Sequence, residues 1–206
     1  MNAPHCMLDI ETLGTGRDAC MVSLGALMFD PTTGEIADLN SLEAMHLHVD
    51  LEKSSSPGTI DPSTVSWWMQ QSQEARDSLF NPRDQSGLLR PKLPLETVLL
   101  RFSVWLESYK REGRDVPVWS NGPLFDERII REASERMGLR DPFHFRSSRC
   151  FRTAMQLAKD AGISITKDIT PPFFFIKHNA LHDCWMQARA VNILYSSLGL
   201  QKKAPQ

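Results

Sequence analysis

The stretch His5-Cys6-Met7-Leu8-Asp9-Ile10-Glu11-Thr12-Leu13-Gly14-Thr15-Gly16 sets two acids into an apolar run and closes it with two glycines. Its alternation predicts a strand over His5–Ile10. Cys6, Leu8 and Ile10 point one way; Met7, Asp9 and Glu11 point the other. Two residues apart on a strand, Asp9 and Glu11 share one face. On a central strand that face has a low dielectric and the two carboxylates repel. One must then take a proton, or a cation must sit between them. Oxygen ligands of this kind suit a divalent metal. At an exposed strand end the same pair would simply be solvated, so D-x-E alone leaves both readings open.

Outward from this strand, Ala19 to Phe29 is an apolar run with small residues, and Asp30-Pro31-Thr32-Thr33-Gly34 is a turn. Glu43 to Val49 alternates again, so the chain opens with a three-strand meander. Helices are predicted over Ser63–Leu79, with Ser63 as its cap, and over Leu95–Tyr109, where Val98, Leu99, Phe102, Trp105 and Leu106 recur at helical spacing. Val116–Ser120 reads as a short strand. Further helices are expected over Leu124–Met137, Arg149–Ala161 and Asn179–Leu198, each followed by a glycine. Lys53–Gly58 and Asn81–Pro94 read as loops. A meander followed by alternating helices and a strand implies an α/β fold: a central mixed β-sheet flanked by α-helices. Residues 1–200 are expected to form one domain, with 201–206 as a C-terminal tail.

The chain has 206 residues, 41% hydrophobic and 23% charged, which suits a globular domain and excludes a fibrous or disordered one. Four cysteines, none in a C-x-x-C pair, and no cationic segment leading into an apolar one imply a cytoplasmic protein with reduced thiols. No apolar run approaches the ~18 residues of a membrane span. The net charge of −2 argues against holding nucleic acid by bulk positive charge. It leaves room for local grip, since Arg128, Arg131, Arg136, Arg140, Arg146, Arg149 and Arg152 crowd one part of the chain.

Two further acids stand in notable places. Asp126 follows Ser120-Asn121-Gly122-Pro123-Leu124-Phe125 and lies in the first turn of a helix, where the dipole by itself favours an acid. His178 and Asp183 are five residues apart, ~500° on a straight helix, and would diverge by ~140°. They converge only if His178 sits on the loop before the helix. Pro171 and Pro172 break any upstream helix and Asn179 is a good cap, so the sequence permits this. Asp183 lies off the core stripe of Leu181, Cys184, Trp185, Ala188, Val191, Asn192 and Tyr195.

Taken in order, these segments resemble the three motifs of the DEDDh 3′–5′ exonucleases of the ribonuclease-H-like superfamily: Leu8 to Gly16, Ser120 to Asp126, and His178-Asn179-Ala180-Leu181-His182-Asp183-Cys184. More narrowly, the chain is similar to the RNase-T-like exoribonucleases of mycobacteria and phages and to phage exonuclease A, which shares the His-Asp-Cys ending. Trp67-Trp68-Met69 fits that branch. The resemblance implies a metal-dependent 3′–5′ exonuclease that releases nucleoside 5′-monophosphates from the 3′ end of RNA or DNA. Asp9, Glu11, Asp126 and Asp183 would hold two divalent cations, Mg²⁺ or Mn²⁺, and His178 would take the proton from the attacking water. His182 is the rival base. Thr12 and Leu13 would contact the terminal nucleotide, Trp68 or Trp67 would stack on a base unless packed in the core, and Asn121 would bind a phosphate or cap a helix. The analogy also allows a homodimer. Cys150 stands where the close family is expected to carry an acid. The alternatives are a phosphohydrolase of dinucleotides or nucleotides, and a non-catalytic nucleic-acid-binding module on the same fold.

Overall fold

The computed structural model describes residues 1, 4–83, 87–165 and 169–202. Its centre is the antiparallel pair β1 (His5–Thr12) and β2 (Met21–Asp30). All ten residues of β2 are buried, because both its faces are covered. β4 (Ala44–Val49) pairs antiparallel on the far side of β2, and the two-residue β3 (Glu35–Ile36) extends the same edge. β6 (Val118–Ser120) then runs parallel to β1, and β7 (Ser148–Cys150) parallel to β6. With β5 (Lys92–Leu93) parallel to β4, the order is β5-β4-β2-β1-β6-β7. This is the mixed sheet the sequence implied.

The alternation of β1 sorts the two layers. Cys6, Leu8 and Ile10 pack under α3 (Leu95–Ser108) and α4 (Asp126–Arg136), against Val98, Phe102, Ile129 and Ile130. Met7 faces the opposite side, with Leu27, Phe29 and Trp119 beneath Leu181, Cys184, Ala188 and Val191 of α6 (Ala180–Ser197). α5 (Phe151–Asp160) packs beside α6. Asp9 and Glu11 therefore lie on the α6 side of the sheet, at the centre of the fold.

Several element boundaries differ from the sequence reading. Ser63–Leu79 is two helices, α1 (Pro62–Met69) and α2 (Gln73–Phe80). Asp61, not Ser63, caps the first: its carboxylate accepts the Ser63 N–H at 2.9 Å, and Pro62 takes the first helical position, where no N–H is needed. The Ser72 hydroxyl accepts from the Ala75 N–H and starts the second. The helix expected from Arg149 begins at Phe151, because Ser148–Cys150 are drawn into the sheet edge by β6. Cys150 itself caps α5, its sulfur accepting from the Thr153 N–H at 3.4 Å. The helix expected from Leu124 begins at Asp126, and the Asn81–Pro94 loop carries β5.

Candidate active site

A close contact of backbone with backbone sets the site. The first turn of α6 lies directly on β2 at Gly25, where a Cβ would come within 2.4 Å of the Ala180 carbonyl carbon and the Leu181 nitrogen. Only glycine lets a helix sit this low on a strand. The Cys184 thiol donates to the Gly25 carbonyl at 3.2 Å and ties the two together. Asp9 is paired with Gly25 across β1 and β2, and Glu11 with Ser23. The helix therefore delivers its polar face over the two acids of β1.

Asp183 comes from the first turn of α6, and Gln187, one turn later, donates its amide to Asp9 at 3.1 Å. Asn179 caps the helix by accepting from the His182 N–H. His178 sits on the loop just before the cap, with a positive φ of 62°, an uncommon conformation for a side-chain-bearing residue. This bend lets its backbone N–H donate to Asp183 at 3.1 Å while its ring turns toward the sheet. Ligand atoms of Glu11, His178 and Asp183 all lie within 4.8 Å of one another. Asp126 enters from the opposite layer as the first residue of α4, only 3% exposed, and accepts the Ile10 N–H at 3.3 Å.

The electrostatics of this cluster are one-sided. Burial, then the charges of Asp126 and Asp183, raise the Asp9 carboxyl well above the usual carboxylate range; the Gln187 bond opposes this. Burial and the charges of Asp9, Asp183 and Asp126 raise Glu11 in the same way. Burial lifts Asp126 to about 7 against the Ile10 hydrogen bond, and lifts Asp183 to about 6 against the His178 N–H. Burial raises all four acids, and the neighbouring carboxylates add to it at Asp9 and Glu11, outweighing the charges of Arg152 near Asp126 and Lys177 near Asp183. Oxygen donors with an adjacent imidazole are a fitting set for a divalent cation. Burial, then the charge of Lys177, lowers His178, so its ring is largely neutral at pH 7 and free to accept a proton.

The other expected site residues are placed differently. Trp68 is 2% exposed, and its indole N–H donates to the Thr12 carbonyl at 2.9 Å. It therefore supports the turn after β1 from below and has no open face for a base, which corrects the stacking expected of it. Leu13 packs in the same small core, with Val22, Ala75 and Leu79, and the Thr12 hydroxyl is spent on the Gly14 carbonyl. Trp67 is 41% exposed and meets the His178 ring edge-on at 4.8 Å between centroids. Asn121 is exposed, its carbonyl accepting from Arg152 at 3.0 Å. His182 turns away from the acids: its Nδ1 accepts from the Ile176 N–H, and its ring lies against Phe173. Gln187 escaped the sequence reading, although its spacing of four from Asp183 places both on one face of the helix.

Comparison with known proteins gives this arrangement its class. The exodeoxyribonuclease of Enterobacteria phage T4 is 23% identical over 202 residues, 86% of this chain and 83% of the phage protein. Among solved structures, E. coli exonuclease I in complex with a dA16 oligonucleotide matches with a TM-score of 0.61 at 16% identity. The match covers 94% of this chain and 41% of that one, so the chain spans about two fifths of the length of exonuclease I. The nuclease domain of 3′hExo, a DEDDh family member bound to rAMP, matches with a TM-score of 0.56 at 12% identity, over 99% of this chain and 96% of that one. The class is that of the DEDDh 3′–5′ exonucleases, on the ribonuclease-H-like fold. Within it, residues 4–195 match a single family pattern, and the chain belongs to the 3′–5′ exoribonuclease Rv2179c-like domain family. Among the described residues, no helix is long and apolar enough to cross a membrane.

Proposed function

We propose that this chain removes nucleotides one at a time from the 3′ end of an RNA or DNA strand, as single strand or 3′ overhang, and releases nucleoside 5′-monophosphates. The observation that carries the reading is the convergence of Glu11, His178 and Asp183, from two distant parts of the chain, within 4.8 Å. Asp9 and Asp126 share that cluster's field.

Asp9, Glu11, Asp126 and Asp183 would hold two divalent cations, Mg²⁺ or Mn²⁺, through their carboxylate oxygens. When bound, the cations supply the positive charge that activates water and stabilises charge on the phosphate and the departing 3′ oxygen. His178 accepts the proton of the attacking water, and its lowered basicity keeps the ring in the accepting form. The Asp183 carboxylate, held by the His178 backbone N–H, keeps base and ligand in one unit. Gln187 orients Asp9 from above. Trp67 offers its exposed face to the terminal base, beside the His178 ring. Asn121, at the exposed turn between β6 and α4, binds a phosphate of the strand in this reading.

The test is digestion of 5′-labelled single-stranded RNA and DNA, alone and annealed to leave 3′ overhangs, with Mg²⁺, Mn²⁺ or EDTA. A metal-dependent ladder that shortens from the 3′ end is expected, and the faster polymer identifies the substrate. Hydrolysis of dinucleotides with no ladder on any polymer would replace this reading with a small-substrate phosphohydrolase.

A further inference from the structure

A second cavity, of about 590 Å³, lies across the first turn of α6 from the carboxylates and contains none of them. Its floor is β4. His46 pairs with Gly25 and His48 with Ser23, the residues that pair on their other side with Asp9 and Glu11. Directly opposed residues share a face, so both imidazoles stand on the catalytic face of the sheet, two strands or about 10 Å over. His182 closes the wall from α6, and Arg90 enters from the segment before β5.

His48 is the unexplained group. It is 1% exposed, and among the described residues neither ring nitrogen has a hydrogen-bond partner. A buried polar side chain without a partner costs stability unless something fills the space beside it. Burial keeps His46 and His48 uncharged, and the charge of Arg90 acts on both in the same direction. Each neutral imidazole presents one N–H donor and one acceptor. A guanidinium ringed by neutral donors is suited to a phosphate. The opposite wall carries Glu74 and Asp77 of α2, acceptors for sugar hydroxyls, and the Phe173 ring closes one side. The volume falls in the range of small-molecule sites and is far larger than one water requires.

We propose that this cavity binds a nucleoside monophosphate, with its phosphate on Arg90 and the imidazoles of His46 and His48, its ribose hydroxyls at Glu74 and Asp77, and its base against Phe173. The site is separate from the carboxylate cluster and does not depend on the metal chemistry.

Calorimetric titration of the full chain with 5′-AMP in EDTA tests this, since without metal a cluster of buried carboxyl groups has no means to hold a phosphate. Saturable binding at one site is expected, with adenosine and inorganic phosphate each much weaker. Arg90→Ala and His48→Leu should each weaken AMP about tenfold or more, the loss of a charged or buried hydrogen bond. His48→Leu should keep or raise the melting temperature, because it removes two unpartnered nitrogens. Strand digestion with metal should be unchanged in Arg90→Ala. No saturable binding at millimolar AMP would overturn the proposal. So would affinity indifferent to both variants, adenosine or phosphate binding as tightly as AMP, or AMP affinity that follows Asp183→Asn, which would put the nucleotide in the catalytic site.

Discussion

Gly25→Ala is the substitution that tests how the site is assembled, because it removes no functional group. The added methyl would sit 2.4 Å from the Ala180 carbonyl carbon and 2.6 Å from its oxygen, both backbone atoms. Carbon atoms in contact normally keep ~3.5–4.0 Å apart, so α6 must lift from β2 by roughly 1 Å. Overpacking of this kind costs about 1–3 kcal/mol. At about 2–4 °C per kcal/mol for a chain of this size, the melting temperature should fall by about 2–12 °C. The same lift carries Asp183 and Gln187 away from Asp9, and misplacement by about 1 Å can cost ~10²-fold in rate. Thermal unfolding and metal-dependent strand digestion measure the two effects. Gly16→Ala is the control, since its methyl would meet only the end of the Asp18 side chain, at 3.0 Å. A Gly25→Ala protein with the stability and turnover of the parent would refute the idea that this contact sets the catalytic geometry.

Other substitutions divide roles that lie close together. His178→Ala should lower turnover by ~10²–10⁴-fold, whereas His182→Ala, whose ring faces the second cavity, should leave most of it; the reverse order in single-turnover rates would exchange the two roles. Trp67→Ala should weaken capture of single strands by about 1–3 kcal/mol at little cost in stability. Trp68→Ala should instead cost about 3–5 kcal/mol in urea unfolding, because it empties a buried site and orphans the Thr12 carbonyl. Without metal, stability should fall as pH rises. Asp126 titrates near 3.9 when unfolded and at about 7 when folded, so its contribution is full below 3.9 and lost as pH passes 7. Asp126→Asn should flatten that fall in EDTA, and excess Mg²⁺ should raise the melting temperature far more at pH 7.5 than at pH 5; equal effects at both would count against the carboxylates as the metal site.

Local pattern determined much of this protein. The alternation around Asp9 and Glu11 was enough to place both on one face of a strand, because side-chain direction along a strand depends only on parity. The proline pair, Asn179 and the spacing of His178 from Asp183 permitted the histidine a place on the loop, the one arrangement in which the two converge, without requiring it. The order of the three motifs was enough to suggest the family. Local pattern failed where the outcome depended on what the segment packs against. Nothing in Trp67-Trp68 distinguishes the ring that enters the core from the ring left exposed; contact with the turn after β1 decides it. Ser148–Cys150 has no strand periodicity of its own and is extended because β6 offers it a free edge. Gly25 reads as one small residue in an apolar run, yet the height of α6 over the sheet depends on it. Gln187 meets Asp9 across 178 residues of chain, and the cavity at His48 gathers groups from β4, α2, the segment before β5 and α6, so both are set by tertiary contact.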